Sequence, residues 1–163
     1  MPIDDHVFRE VMSLFASGVA IVTASDRQGT PKGLTTRSFV SVAADPPLVL
    51  VSIDRTSRTL PAIRASGAFV VNFLRGDRAA LSDLFASKAE DKFKGLTWVG
   101  SDVAKGAPIL ADDSVGYAEC VVREEIPAGD HFLFMAIVEG GRAFGGRPLM
   151  YFRRSYAEWP RTG

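Results

Sequence analysis

Residues 33–53 read Gly33-Leu34-Thr35-Thr36-Arg37-Ser38-Phe39-Val40-Ser41-Val42-Ala43-Ala44-Asp45-Pro46-Pro47-Leu48-Val49-Leu50-Val51-Ser52-Ile53. β-Branched, aromatic and small hydroxyl side chains dominate on both sides of the Asp45-Pro46-Pro47 interruption, which is the composition of short strands and not of a helix. The pattern predicts strands over Leu34–Val42 and Leu48–Ile53 with a turn between them, because neither proline can donate to a sheet ladder.

Working outward, Val19–Thr23 is another short β-branched run, and Asp26–Pro31 contains the turn residues that would connect it to the strand beginning at Leu34. Further strands are predicted over Ala68–Phe73, Ser114–Glu125 and His131–Val138, the last two forming an antiparallel pair across Ile126-Pro127-Ala128-Gly129-Asp130. Helical spacing is confined to three places. From Asp4 to Phe15, Val7, Phe8, Val11, Met12, Leu14 and Phe15 recur on one face, with Gly18 as the expected terminator. A short helix fits Thr59–Ala65, with Pro61 tolerated in its first turn, and another fits Asp77–Phe85 with Leu81, Leu84 and Phe85 on one side. Residues 88–95 read as a charged connector and 101–113 as loop. Many short strands and few helices, without regular alternation of the two, favour a closed antiparallel barrel over a doubly wound sheet. With no internal repeat or linker, residues 1–163 read as one domain.

Composition narrows the function. A chain of 163 residues buries a real core without cross-links but has no room for a two-domain dehydrogenase or a kinase. Lys+Arg and Asp+Glu are both 19, and this zero formal net charge argues against a nucleic-acid partner. Cys120 is the only cysteine, so one chain can form neither an internal disulfide nor a Cys-based zinc site. The first residues show no basic segment followed by an apolar one, and the longest apolar stretch, Phe39–Ile53, is broken by Asp45-Pro46-Pro47 and too short to span a membrane. The expectation is a soluble cytoplasmic protein with no membrane contact.

Three segments carry candidate chemistry. In Gly33–Ser41, hydroxyls and Arg37 fall between apolar strands, where they can present donors to a polar planar ligand while Phe39 packs beneath; they can equally wet the outer face of a barrel strand. In Val51–Thr59, a strand runs into a hydroxyl-rich turn with Arg55 and Arg58 and then into a helix, the ingredients of a phosphate site and also of ordinary helix capping. In Phe85–Lys88 and Asp91–Gly95, Lys88 or Lys92 can complete a phosphate pocket, or the run can be a solvated charged loop. His131 stands at a turn leading into an apolar strand, either as a site residue or as a turn-stabilising histidine. There is no P-loop, no dinucleotide-binding glycine fingerprint and no nucleophile elbow, so a nucleotide cofactor would bind outside those classes.

Taken in order, Gly33–Val42, Asp45–Ser52, Ser57-Arg58-Thr59, Gly67-Ala68-Phe69-Val70-Val71-Asn72, Phe85-Ala86, Asp91-Lys92-Phe93 and Gly129-Asp130-His131 closely resemble the short-chain flavin reductase family, the small reductase components of two-component flavin monooxygenases. The resemblance runs from Phe15 to Tyr156. It implies an FMN-binding split barrel, a mainly β, Greek-key antiparallel barrel with a few flanking helices, assembled as a homodimer with flavin near the subunit interface. The implied reaction is hydride transfer from NADH or NADPH to FMN or FAD, with the reduced flavin passed to a separate flavin-dependent monooxygenase.

By the same resemblance, Thr35, Thr36, Ser38, Phe39 and Ser41 lie along the isoalloxazine and ribityl chain. Ser52, Asp54, Ser57, Arg58 and Thr59 surround the ribityl phosphate, and Phe85, Ala86, Lys88 and Lys92 add a second wall. Pro148–Tyr156 resembles the family's end and contributes Tyr151 and Arg153. Arg37 is placed among the cofactor contacts, to flavin, to nicotinamide phosphate or to the partner subunit. His131 matches the histidine of the family's Gly-Asp-His segment, near nicotinamide and flavin, as a positioning and electrostatic residue. Two other readings share the barrel: a flavin-binding protein without turnover, and a pyridoxamine-phosphate oxidase-like FMN enzyme. Asp45-Pro46-Pro47 and Gly129-Asp130-His131 favour the reductase by resemblance.

Overall fold

The computed structural model describes residues 1–160. Seven strands form one antiparallel sheet: β2 (Ala20–Ser25), β3 (Pro31–Thr36), β4 (Phe39–Ala44), β5 (Pro47–Asp54), β6 (Ala68–Leu74), β9 (Ser114–Ala128) and β10 (His131–Ala143), in the order β3-β2-β6-β9-β10-β5-β4. Its two edge strands, β3 and β4, are consecutive in sequence, so the sheet curls on itself and the fold is a mainly β split barrel. Two short strands, β7 (Val99–Gly100) and β8 (Pro108–Ile109), pair separately, and β1 (Ser17–Gly18), β11 (Leu149–Phe152) and β12 (Ser155–Glu158) form a three-stranded flap. Helices α1 (Asp5–Ser13), α2 (Leu60–Ser66) and α3 (Ala79–Ala86) flank the barrel. No helix among the described residues is long and apolar enough to cross a membrane.

Strand periodicity divides the core. All six residues of β2 are buried, and successive side chains point to opposite faces, so the strand feeds two apolar clusters at once. Ala20, Val22 and Ala24 join Val51, Ile53, Phe69, Val71 and Phe134 in the larger cluster, which α2 completes with Leu60, Ala62 and Ile63. Val19 and Ile21 join Leu74, Phe85, Phe93, Leu110 and Leu149 on the other side. A third cluster packs Ala68 and Val70 of β6 against Ala104, Ala107 and Ile109 of the long loop. Cys120 lies in the larger cluster, where burial, with Glu119 adding to it, pushes the thiol up to about 12, so it packs as a small hydrophobe.

Three expectations need correction. The stretch Leu34–Val42 is two strands, because the backbone turns between Thr36 and Phe39 to leave one sheet edge for the other. The Ile126–Asp130 connector shrinks to Gly129-Asp130: β9 runs on to Ala128, which pairs with His131, and Gly129 takes the positive φ of 59° that a two-residue hairpin requires at its first central position. The first helix ends at Ser13 rather than near Gly18, which lies in β1, and it buries none of its residues. Helical spacing identified its apolar face correctly but could not say whether its own barrel covers it.

The loop that leads into β9 is held by buried polar groups as well as by its apolar contacts with β6. Asn72 is fully buried; its amide donates to the carbonyls of Ile21 and Pro108 and to Thr23 Oγ1, and its Oδ1 accepts the Leu110 N–H at 2.8 Å. Ser25 Oγ adds a bond to the Gly106 carbonyl. Replacing Asn72 with leucine strands the Leu110 N–H and should cost about 3 kcal/mol. The check is a lower urea midpoint with an unchanged m-value.

Candidate functional site

Strand β3 separates two cavities. The first, of about 540 Å³, lies between β3, the end of β5, the start of α2 and the loop after α3. It gathers Thr35, Asp54, Ser57, Arg58, Thr59, Phe85, Ala86, Lys88 and Lys92, nine of the site candidates, from four separate segments. Gly33 makes the approach possible. A Cβ on it would stand 2.6 Å from Cε1 of Phe85, whose ring in turn packs edge-on against Phe93 with centroids 5.0 Å apart.

The loop over this cavity is clasped by cations. Lys92 Nζ donates to the Phe85 carbonyl at 2.7 Å and to the Gly33 carbonyl at 3.3 Å. Arg58 donates to the Lys88 and Ala89 carbonyls. Thr35 spends its hydroxyl proton on the Ser82 carbonyl at 2.6 Å, which leaves the oxygen as an acceptor. Ser57 Oγ accepts the Thr59 N–H at 3.2 Å.

Charge is unbalanced here. Lys32, Arg58, Lys88 and Lys92 face two carboxylates, Asp54 and Glu90. Asp54 Oδ1 already accepts both the N–H and the hydroxyl of Thr56, and these bonds, with the His131 charge adding, hold its carboxyl below the usual range. Burial, with Arg58 alongside, lowers the Lys92 ammonium below the ordinary lysine value. Hydroxyls and guanidinium and ammonium groups around an unneutralised pocket are a donor set that fits the phosphate of a flavin nucleotide.

His131 opens β10 directly opposite Asp54, one of the cavity's walls, and does not itself line the cavity. Its Nδ1 lies 2.6 Å from Oδ1 of Asp130, a contact that holds the Asp130 carboxyl below its ordinary range. A carboxylate at Nδ1 keeps the proton on that nitrogen and makes Nε2 the free acceptor of the neutral ring. Beside it, the guanidinium groups of Arg55 and Arg64 stack on the ring of Phe132, 4.5 and 4.4 Å from its centroid.

The second cavity, of about 690 Å³, is mainly apolar and takes three further candidates, Thr36, Arg37 and Phe39, with Phe15, Phe73, Tyr117, Arg142 and Met150 among its other walls. Phe39 packs edge-on against Phe73 at 5.2 Å, and Arg37 lies over the ring of Tyr151 at 4.2 Å. The remaining candidates line neither cavity. Ser38 and Ser52 are joined at the corner between β3 and β4, where the Ser52 N–H donates to the Ser38 carbonyl. Ser41 is exposed on β4. Arg153 sits in the turn between β11 and β12 at φ 47°, its N–H bonded to the Ser13 carbonyl. Sequence reasoning missed Lys32, Arg142 and Tyr117, which come from scattered segments with no local motif, and Met150, which lies in the quoted Pro148–Tyr156 segment.

Residues 12–160 match the model of the flavin reductase like domain family, and the chain belongs to that family. It is 42% identical over 160 residues to a flavin reductase (NADH) of Kitasatospora aureofaciens, covering 97% of this chain and 83% of that protein. It is 44% identical over 161 residues to a flavin reductase (NADPH) of Lentzea aerocolonigenes, covering 98% and 91%. Among solved structures, nitrilotriacetate monooxygenase component B from Mycobacterium thermoresistibile superposes with a TM-score of 0.90 at 37% identity, covering 96% of this chain and 87% of that one.

If the cation cluster binds a flavin phosphate, Arg58→Ala should weaken FMN about tenfold and riboflavin hardly at all, since only FMN loses a charge-assisted contact. Lys92 supplies the pH dependence. Its lowered value means that it loses its proton sooner than an ordinary lysine, so FMN affinity should begin to fall as pH rises toward the ordinary lysine value, while riboflavin affinity stays flat. Flavin fluorescence titrations across pH check both; equal weakening of the two flavins would place these residues elsewhere.

Proposed function

We infer that the protein is an NAD(P)H-dependent flavin reductase that transfers hydride from a nicotinamide cofactor to FMN or FAD and supplies reduced flavin to a separate monooxygenase. The observation that carries this reading is the cation-rich cavity, with the Asp130–His131 pair opposite its Asp54 wall, in a chain of this family. The likeness to a protein named as a monooxygenase component supports the two-component arrangement. Residues 1–163 act as one domain, in keeping with a family match that runs from 12 to 160. Dependence on reduced nicotinamide and a lone buried thiol favour a cytoplasmic location.

When bound, the flavin accepts the hydride, so the chain has no need of a general base at the reacting atoms. Its residues bind and orient. Ser57, Arg58, Thr59 and the lysines of the loop would hold the phosphate, Thr35 would offer an acceptor, and Phe85 and Phe93 stiffen the wall behind. His131, fixed by Asp130, orients the nicotinamide, and Asp54 opposite it stays ionised because Thr56 satisfies it.

The working unit is a homodimer. Helix α1 buries nothing on its own chain, leaving Val7, Phe8, Val11 and Met12 between 39% and 51% exposed, and Val40 and Val42 of β4 are half exposed as well. Apolar surface of this kind calls for a partner, and a second copy supplies the matching face. Light scattering at micromolar concentration should show twice the chain mass; a 17.6 kDa particle with full reductase activity overturns the dimer.

His131→Ala should keep flavin affinity, raise the nicotinamide KM about tenfold and slow flavin reduction at limiting nicotinamide, and His131→Asn should recover part of the loss. Anaerobic stopped-flow absorbance reads this directly. Normal nicotinamide binding combined with a loss of more than about a thousandfold in the reduction step would instead give His131 a proton-transfer or charge role.

A further inference from the structure

Tyr156 stands on the last strand of the flap, β12, directly opposite Tyr151 of β11. The flap is pinned to the barrel by its backbone: the Val19 N–H donates to the Leu149 carbonyl at 3.1 Å, and the Gly76 N–H to the Arg147 carbonyl at 2.8 Å. From this fixed base the Tyr156 hydroxyl reaches across to α3, where it donates to Asp83 Oδ1 at 3.0 Å and lies 2.9 Å from Ser82 Oγ. With its proton committed to Asp83, the Tyr156 oxygen accepts the proton of Ser82.

Ser82 is fully buried, and Tyr156 is the one hydrogen-bond partner of its hydroxyl among the described residues. Its carbonyl accepts the Thr35 hydroxyl at 2.6 Å. One buried serine therefore joins the flap to β3. Ser82 and Phe85 are the two buried residues of α3, and no side chain caps the N-terminus of that helix. Thr35, Phe85 and Ala86 are walls of the cationic cavity, whereas Tyr156 lines neither that cavity nor the apolar one.

We propose that Tyr156 is a positioning residue for the flavin: through Ser82 it fixes Thr35 as a hydrogen-bond acceptor and sets the Phe85-Ala86 wall beside it. The proposal rests on the reductase reading above and deepens it. A free threonine hydroxyl can donate or accept. Once the Ser82 carbonyl takes its proton, Thr35 offers lone pairs only, which suits the ring N–H or a ribityl hydroxyl of a flavin and repels a phosphate oxygen. That orientation lasts as long as the carbonyl stays within reach, and the bond from Tyr156 keeps the serine in place. For a clasp that served stability alone, the exposed Tyr156–Asp83 bond would suffice; the bond to Ser82 adds the link to Thr35. Burial, with Asp83 adding to it, holds the Tyr156 hydroxyl above its ordinary value, so it remains a donor across neutral pH.

The test is a mutant cycle read as flavin affinity. The Tyr156 ring meets Tyr151 edge-on with centroids 5.2 Å apart, so Tyr156→Phe keeps that contact and removes the hydroxyl alone. It should raise the Kd of riboflavin and of FMN by the same factor, about fivefold, the worth of one hydrogen bond. The factor should hold across about pH 6 to 9, below the tyrosine range. Thr35→Val should weaken both flavins in the same way, and the double variant should bind no more weakly than Thr35→Val alone, because both changes break one link. Ser82→Ala cuts that link in the middle and should reproduce Tyr156→Phe; it carries the same cycle if Tyr156→Phe does not fold. Fluorescence titrations supply the Kd values and urea melts the stability. Effects that multiply in the double variant overturn the proposal. So does weakening of FMN alone, or a lowered urea midpoint with both Kd values unchanged, the mark of a purely structural clasp. Failure of the wild type to bleach flavin with NADH or NADPH under anaerobic conditions would instead sink the reductase reading itself, a result independent of the coupling between Tyr156 and Thr35.

Discussion

At the corner between β3 and β4, the Thr36 hydroxyl accepts the Ser38 N–H at 3.1 Å, and the Ser38 carbonyl accepts the Ser52 N–H at 3.2 Å. These two bonds satisfy a backbone that leaves one edge of the seven-stranded sheet and enters the other, and they let consecutive strands serve as opposite edges. The barrel depends on this turn. Without it, β3 and β4 would form one long strand, and the cluster that β2, β5, β6 and β10 enclose would lose a wall. The same corner divides the candidate residues between the two cavities: Thr35 lines the cationic one, while Thr36 and Phe39 line the apolar one. Strand β3 thus works as a partition between the two cavities.

A second constraint is electrostatic. The chain is neutral overall, yet the cavity on one side of that partition gathers Lys32, Arg58, Lys88 and Lys92 against Asp54 and Glu90. Arg58 and Lys92 hold the loop after α3 by bonding to backbone carbonyls, which orders them without neutralising them. A carboxylate clasp would order the same loop and cancel the charge. Carbonyl dipoles keep the pocket positive, and burial, with Arg58 alongside, lowers the Lys92 ammonium below the ordinary lysine value. Asp54 and Asp26, the acids nearest by, are both turned onto hydrogen-bond donors of their own turns.

Buried polar groups reinforce the apolar contacts of the long loop before β9. The 101–113 loop is rich in glycine, alanine and aspartate, and Asn72, Thr23 and Ser25 bind its carbonyls and N–H groups from the outer side of β2 and β6. These strands therefore read as continuous buried runs instead of the alternating pattern of a half-solvated sheet.

Much of this was legible in the residues. β-Branched runs, the Asp45-Pro46-Pro47 break and the short helices around Pro61 and Leu84 mark the elements, since strand and helix periodicity and missing N–H donors are local properties. The ordered motifs placed Ser57, Arg58, Phe85 and Lys92 in one site because each motif lies within a few residues of chain. Tertiary structure decided the rest. A turn at Arg37–Ser38 is hidden in a segment whose residues all favour strand, because its cause is a bond to Ser52 on another strand. Helical spacing in α1 shows an apolar face and not whether its own barrel covers it. Lys32, Tyr117 and Arg142 enter cavities only through register between strands far apart in sequence, and Tyr151 meets Arg37 only because β11 packs beside the corner. Local chemistry specified which elements form and which residue types could bind an anion; the pairing of distant backbones chose which of them share a wall.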